Sequence, residues 1–84
     1  MLTLHYFARL RENLSIEREE IELPSHIGTI ADLTGWLGER GPEWKEELNL
    51  SGRMRCAVNQ EIAKPETQVH DEDEVAFFPP MTGG

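Results

Sequence analysis

A chain of 84 residues with 16 acidic against 8 basic side chains, a formal charge of -8 and 38% hydrophobic residues reads as one small acidic domain. It has no room for a large enclosed active site beside its own core, and its charge excludes a nucleic-acid binder, because phosphate repels such a surface and basic protein surfaces attract it. One cysteine excludes an internal disulfide, three scattered histidines offer no zinc or iron–sulfur spacing, and neither a leader nor a membrane-length apolar run is present, so a soluble cytoplasmic protein is expected.

Leu2, Leu4 and Tyr6 alternate with Thr3, His5 and Phe7, the period-two pattern of a strand with one buried face. Over residues 8–14, Leu10 and Leu14 stand four apart among Arg9, Arg11 and Glu12, which suits a helical turn better than a continued strand. Residues 18–23 alternate again, with Ile21 and Leu23 opposite Glu20 and Glu22, until Pro24 removes a backbone donor. Two strands this close along the chain predict an antiparallel hairpin.

Gly28-Thr29-Ile30-Ala31-Asp32 reads as a helix start, with Thr29 as N-cap and Asp32 placed to return the capping-box bond and to favour the helix dipole. Ile30, Leu33, Trp36 and Leu37 then recur at helical spacing and define an apolar face. Gly35 and Gly38 each cost about 1 kcal/mol relative to Ala, so this helix depends on packing against a sheet. Gly41-Pro42 ends it, residues 43–48 form a further turn with Trp44 and Leu48 four apart, and residues 49–52 form a loop.

Met54, Cys56 and Val58 alternate with Arg55, Ala57 and Asn59 in a third strand, and Asn59-Gln60-Glu61 turns into a short Ile62-Ala63 segment that Lys64-Pro65 interrupts. Asp71-Glu72-Asp73 supplies the next turn. The last strand, Glu74–Phe78, is apolar on both sides, with Val75 and Phe77 opposite Ala76 and Phe78. The order strand, strand, helix, strand, short strand, strand is an α+β arrangement and fits a mixed sheet packed on one main helix, the ubiquitin-like β-grasp. The domain so defined spans residues 1–78, and a tail follows over residues 79–84.

Pro79-Pro80 cannot donate ladder hydrogen bonds and pushes the chain off the sheet. At ~3.3 Å per residue the tail reaches roughly 20 Å, enough to enter a deep site on another protein. Gly83 and Gly84 have no side chains and can thread a narrow channel. The carboxylate of Gly84, with an ordinary pKa of roughly 3.3 to 3.7, is ionised and a poor electrophile until activated. Adenylation with ATP would make it a mixed anhydride, and persulfide attack would then lead to a thiocarboxylate. Cys56, in mid-strand among apolar neighbours, reads as a buried structural cysteine with no part in this chemistry. A Gly-Gly end is also what a frayed terminus looks like; the Phe-Phe-Pro-Pro approach at the end of a β-grasp pattern is what makes the combination specific.

The chain resembles the small-subunit family of molybdopterin synthase from end to end. Tyr6-Phe7-Ala8-Arg9-Leu10-Arg11-Glu12 is similar to that family's first-strand signature, Ala57-Val58-Asn59-Gln60 to its third-strand turn, and Asp73-Glu74-Val75-Ala76-Phe77-Phe78-Pro79-Pro80-Met81-Thr82-Gly83-Gly84 to its C-terminal signature. The resemblance implies a β-grasp sulfur carrier that is a non-catalytic subunit of its complex and holds no permanent cofactor or metal. Gly84 would carry AMP and then sulfur as a thiocarboxylate, loaded by a ubiquitin-activating-like adenylyltransferase and a desulfurase or sulfurtransferase. The tail would then enter the large catalytic subunit, in a complex with two copies of each subunit, and deliver sulfur to cyclic pyranopterin monophosphate for the dithiolene of molybdopterin. Where the family often has Asp-Gly-Asp, this chain has Asp71-Glu72-Asp73, which predicts a positive φ at Glu72 costing about 1 kcal/mol.

Phe78 points away from Phe77 by strand alternation and is expected to meet a partner together with Pro79, Pro80, Met81, Thr82 and Gly83. Arg11 and Glu12 are expected to fix the first turn, the acidic runs 17–22 and 71–74 to be solvated, and His5, His26 and His70 to be structural or exposed. The same terminal chemistry would also serve a sulfur carrier for thiazole, cysteine or tRNA thiolation, or a ubiquitin-like modifier that joins lysines. A plain β-grasp interaction module, in which Gly-Gly is incidental, is the third reading.

Overall fold

Leu2, Leu4 and Tyr6 have no exposed surface while Thr3 and His5 between them are partly exposed, so the alternation in the sequence is the alternation of β1 (Leu2–Tyr6). The structure is a computed structural model and describes residues 1–49 and 54–79. After β1 come α1 (Arg9–Leu14), β2 (Arg18–Ile21), α2 (Ile30–Gly38), α3 (Pro42–Glu47), β3 (Arg55–Val58), β4 (Glu61–Ile62) and β5 (Glu74–Phe78). Five strands form one mixed sheet in the order β2-β1-β5-β3-β4. The predicted hairpin is present, with Leu2 opposite Ile21 and His5 opposite Arg18 in antiparallel register. It is shorter than expected: β2 ends at Ile21, and Leu23 packs half-buried against the core from outside the strand.

β5 lies in the middle of the sheet, parallel to β1 and antiparallel to β3, so Phe77 stands between Tyr6 and Cys56. The central place pairs both edges of β5, and only its inward residues Val75 and Phe77 are fully buried; Ala76 and Phe78 on the other side are half-buried. The inner face of the sheet, with Leu2, Leu4, Tyr6, Val75, Phe77 and Cys56, closes on Ile30, Leu33 and Leu37 of α2. α1 and α3 close the ends of this core through Leu10, Leu14 and, just after α3, Leu48.

The capping box at α2 forms as expected: the Asp32 amide donates to Thr29 Oγ1 at 3.2 Å and the Thr29 amide donates to Asp32 Oδ2 at 3.3 Å. A further bond from the Gly28 amide, together with these, holds the Asp32 carboxyl below its ordinary value. The apolar face of α2 is displaced from the one the hydrophobic residues suggest. Thr34, not Trp36, is buried beside Ile30, Leu33 and Leu37, because positions 30, 33, 34 and 37 share one side of a 3.6-residue helix and position 36 sits at its rim. Thr34 satisfies its hydroxyl by donating to the Ala31 carbonyl at 3.2 Å.

Asn59 and Gln60 both take positive φ, 50° and 71°, in the two-residue turn from β3 to β4. This turn is one residue shorter than expected, because Glu61 already pairs with Val58 and Ala63 follows the strand. Glu72 takes φ 76°, the left-handed turn anticipated where a glycine is absent. Of the expected loop over residues 49–52, Asn49 lies within the described residues and the rest lies outside them.

Candidate docking face and tail exit

The outer face of the sheet carries a row of side chains set by strand register: His5 on β1, Ala76 on β5, Ala57 on β3 and Ile62 on β4. Phe7 and Phe78 point to the same side one step further along the parallel β1 and β5. Ile62 is 74% exposed and Phe7 49% exposed, Ala76 and Phe78 are half-buried and Ala57 is buried, so the face is an apolar strip open to solvent mainly at Phe7 and Ile62. Arg55 stands opposite Phe78 on this strip, and Arg18, opposite His5, is paired with Glu20 at 3.3 Å.

Phe7 is held by more than its place in the chain. Its amide donates to the Phe77 carbonyl at 3.1 Å, extending the β1–β5 ladder beyond Tyr6. The His5 ring stacks on Phe7 with centroids 6.2 Å apart and planes 19° from parallel, and His5 Nε2 lies 3.4 Å from Glu74 Oε2. Behind the face, Tyr6 stacks on Phe77 at 5.7 Å and meets Trp44 edge-on at 5.6 Å.

The inner end of β1 is clamped by charge. Tyr6 donates its hydroxyl to Glu19 Oε2 at 2.8 Å, and Arg40 grips the same carboxylate with Nη1 at 2.7 Å and Nη2 at 3.1 Å. Burial pushes the Glu19 carboxyl up, but the Arg40 and Tyr6 hydrogen bonds and the Arg40 charge outweigh it and hold the group below its ordinary value. Burial and the bond to Glu19 raise the Tyr6 hydroxyl, which keeps its proton. The Arg40 guanidinium lies 4.5 Å from the Trp44 ring centroid and 5.9 Å from that of Trp36, so the two tryptophans line its flank.

Of the residues expected to meet a partner, Phe78 ends β5 on the open strip and Pro79 follows it half-buried; Pro80, Met81, Thr82, Gly83 and Gly84 lie outside the described residues. The structure adds Phe7 and Ile62, which sequence reasoning passed over. The signal for Phe7 was an aromatic at a solvent-side position of a period-two strand; for Ile62 it was an apolar residue on a two-residue strand with no inner face to fill. Arg11 and Glu12 are exposed on α1, Arg11 lying 3.9 Å from Glu17, away from the strip's strand register. Cys56 is buried beside Phe77, and burial pushes its thiol up to about 11, which leaves it unreactive at neutral pH. Among the described residues no three His, Cys, Asp or Glu side chains gather as a metal site, and no helix is long and apolar enough to cross a membrane.

Residues 4–84 match the ThiS family. The chain belongs to that family. It is 34% identical over 84 residues to the molybdopterin synthase sulfur carrier subunit of Haemophilus influenzae, with all of both chains covered. To the subunit of the same name from Mycobacterium tuberculosis it is 37% identical over 81 residues, covering 94% of this chain and 92% of the relative. A solved structure from Pyrococcus furiosus, described as a molybdopterin converting factor subunit 1, superposes with a TM-score of 0.79 at 30% identity, covering 95% of this chain and 97% of the other. The ubiquitin-like β-grasp read from the order of elements is therefore the family fold. Membership at this level carries the role of a sulfur carrier in molybdenum cofactor biosynthesis.

Proposed function

We propose that the chain works as the non-catalytic sulfur-donor subunit of a molybdopterin synthase, with the carboxyl group of Gly84 as the group that is loaded and unloaded. The carboxylate attacks the α-phosphorus of ATP on a ubiquitin-activating-like adenylyltransferase, and pyrophosphate leaves. A persulfide from a desulfurase or sulfurtransferase attacks the resulting acyl adenylate and expels AMP. A further thiol cleaves the acyl disulfide, leaving the thiocarboxylate on Gly84. Residues 79–84 then enter the large catalytic subunit, where the sulfur is passed to cyclic pyranopterin monophosphate, one sulfur per carrier. The cycle takes place in the cytoplasm, with two copies of each subunit in the complex.

The observation that supports this reading most is the position of β5. The strand that precedes residues 79–84 is central in the sheet, anchored by Val75 and Phe77 in the core, and it ends at Phe78, beside the exposed Phe7. A partner that covers Phe7, Ala76, Phe78 and Ile62 therefore stands where residues 79–84 begin. Apolar anchors of this kind, within a face of modest size, are the usual source of binding energy at such interfaces.

Deleting Gly84 tests the proposal. The truncated chain should keep the circular dichroism and thermal transition of the full chain, fail to gain the mass of an oxygen-to-sulfur exchange, and support no molybdopterin formation. Molybdopterin made at the normal rate by the truncated chain would overturn the assignment.

A further inference from the structure

Arg55 opens β3 with an exposed side chain, and Cys56 after it turns into the core, so strand alternation puts Arg55 on the outer face of the sheet. There it stands directly opposite Phe78, where cross-strand side chains approach to about 5 Å. Its Nη1 donates to the Met54 carbonyl at 3.2 Å, which holds the head group near the strand. Arg9, Arg11, Arg18 and Arg40 each meet a carboxylate of the same chain, at 3.2, 3.9, 3.3 and 2.7 Å. Among the described residues, Arg55 meets none.

Strand register explains the missing partner. The strand carboxylates that share the outer face, Glu20 on β2 and Glu74 on β5, both pair with Thr3, at the far end of the ladder from Phe78. Glu74 and Phe78 are the two ends of β5, about 13 Å apart along the strand. Both carboxylates are also engaged, Glu20 with Arg18 at 3.3 Å and Glu74 with His5 at 3.4 Å. Glu61 on β4 pairs with Val58, and alternation turns it to the other side of the sheet.

A partner seated on Phe78 covers Arg55 with it. It strips water from a guanidinium to which the chain itself offers only a backbone carbonyl, and a desolvated charge left unpaired opposes binding strongly. The acceptor must therefore come from the partner. We propose that Arg55 receives a carboxylate of the large synthase subunit, beside the place where residues 79–84 begin. This rests on the large subunit covering the apolar strip, as proposed for the function. A carboxylate fits on two counts. Its two oxygens match the paired N–H donors of a planar guanidinium. In a chain of formal charge -8, Arg55 is also the point of the strip at which an approaching anion is attracted and not repelled.

The test is titration calorimetry of the wild-type chain, Arg55→Leu, Arg55→Lys and Phe7→Ala against the large subunit of molybdopterin synthase, at about 50 mM and about 500 mM salt. Leucine discriminates because it suits an apolar surface opposite and leaves a carboxylate opposite unpaired. Arg55→Leu should weaken binding about tenfold or more at the lower salt. Arg55→Lys should recover part of that loss, since it restores the charge without the paired bonds. Wild-type affinity should fall with salt more steeply than that of Arg55→Leu. Both Arg55 variants should unfold at the wild-type temperature because the side chain is exposed, so the weaker binding reports the interface. If Phe7→Ala weakens binding and Arg55→Leu binds as well as wild type or better, the carboxylate is overturned and the docking face stands. Equal salt dependence of wild type and Arg55→Leu also overturns the carboxylate. Unchanged affinity for Phe7→Ala overturns the docking face, and the role of Arg55 with it.

Discussion

Glu19 on β2 and Arg40 after α2 are joined by two parallel hydrogen bonds of 2.7 and 3.1 Å, and Tyr6 donates a third to the same carboxylate. The pair ties the edge of the sheet to the chain leaving its main helix. Both side chains are largely covered, at 17% and 32% exposure, so water does not replace the bonds freely.

Replacing Arg40 with Met should therefore lower stability by about 1 to 2 kcal/mol, because Glu19 is left with a charge that only Tyr6 bonds, and partial exposure limits the loss. Urea unfolding measures it. Arg40→Lys should recover part of the loss, since an ammonium cannot make the parallel pair of bonds.

The same cluster predicts a pH dependence. Glu19 has a folded-state pKa below its unfolded value, so its contribution is complete above about 4.3, the ordinary glutamate value, and is lost as pH falls through the lower folded value. The stability gap between wild type and Arg40→Met should narrow over that acid range. An equal gap at pH 7 and at the acid end would show that the bond network does not carry it.

Phe7→Ala should leave the unfolding transition within about 0.5 kcal/mol of wild type, since half the side chain already faces water. Its affinity for the large synthase subunit should fall by roughly tenfold or more, as expected of an aromatic anchor. Titration calorimetry separates the two effects.

Cys56 should react with iodoacetamide far more slowly in the folded chain than in urea, because its thiol is both buried and pushed up to about 11. Cys56→Ala should cost about 1 kcal/mol for the small space it opens and leave sulfur carriage intact. Loss of carriage without loss of fold would place Cys56 in the chemistry.

Thr29→Ala should cost about 1 kcal/mol, because the Asp32 amide loses its acceptor at the start of α2. Thermal unfolding checks it, and Thr29→Ser should restore most of the loss.

Much of this was legible in the sequence because it is local. Period-two alternation at Leu2, Leu4 and Tyr6, the Thr29–Asp32 cap and the turn at Glu72 are each dictated by neighbours a few residues away. What was not legible depends on distant parts of the chain. Trp36 is hydrophobic enough for the core, but the sheet meets α2 along positions 30, 33, 34 and 37, and only the packing decides that a threonine takes the inner place. Phe7 looked like the last residue of a strand; its place on an exposed apolar strip emerges when β5 arrives alongside and sets Phe78 next to it. The clamp of Tyr6, Glu19 and Arg40 joins three segments that no short pattern links.

The pairing of Thr3 with Glu74 has a consequence for the making of the protein. The early-synthesised β1 lacks its central neighbour until β5 has been made and has left the ribosome, so a chain halted short of Phe78 has no middle to its sheet. Closure of the sheet is thus a late event, and an enzyme that recognises the finished sheet would meet few unfinished carriers.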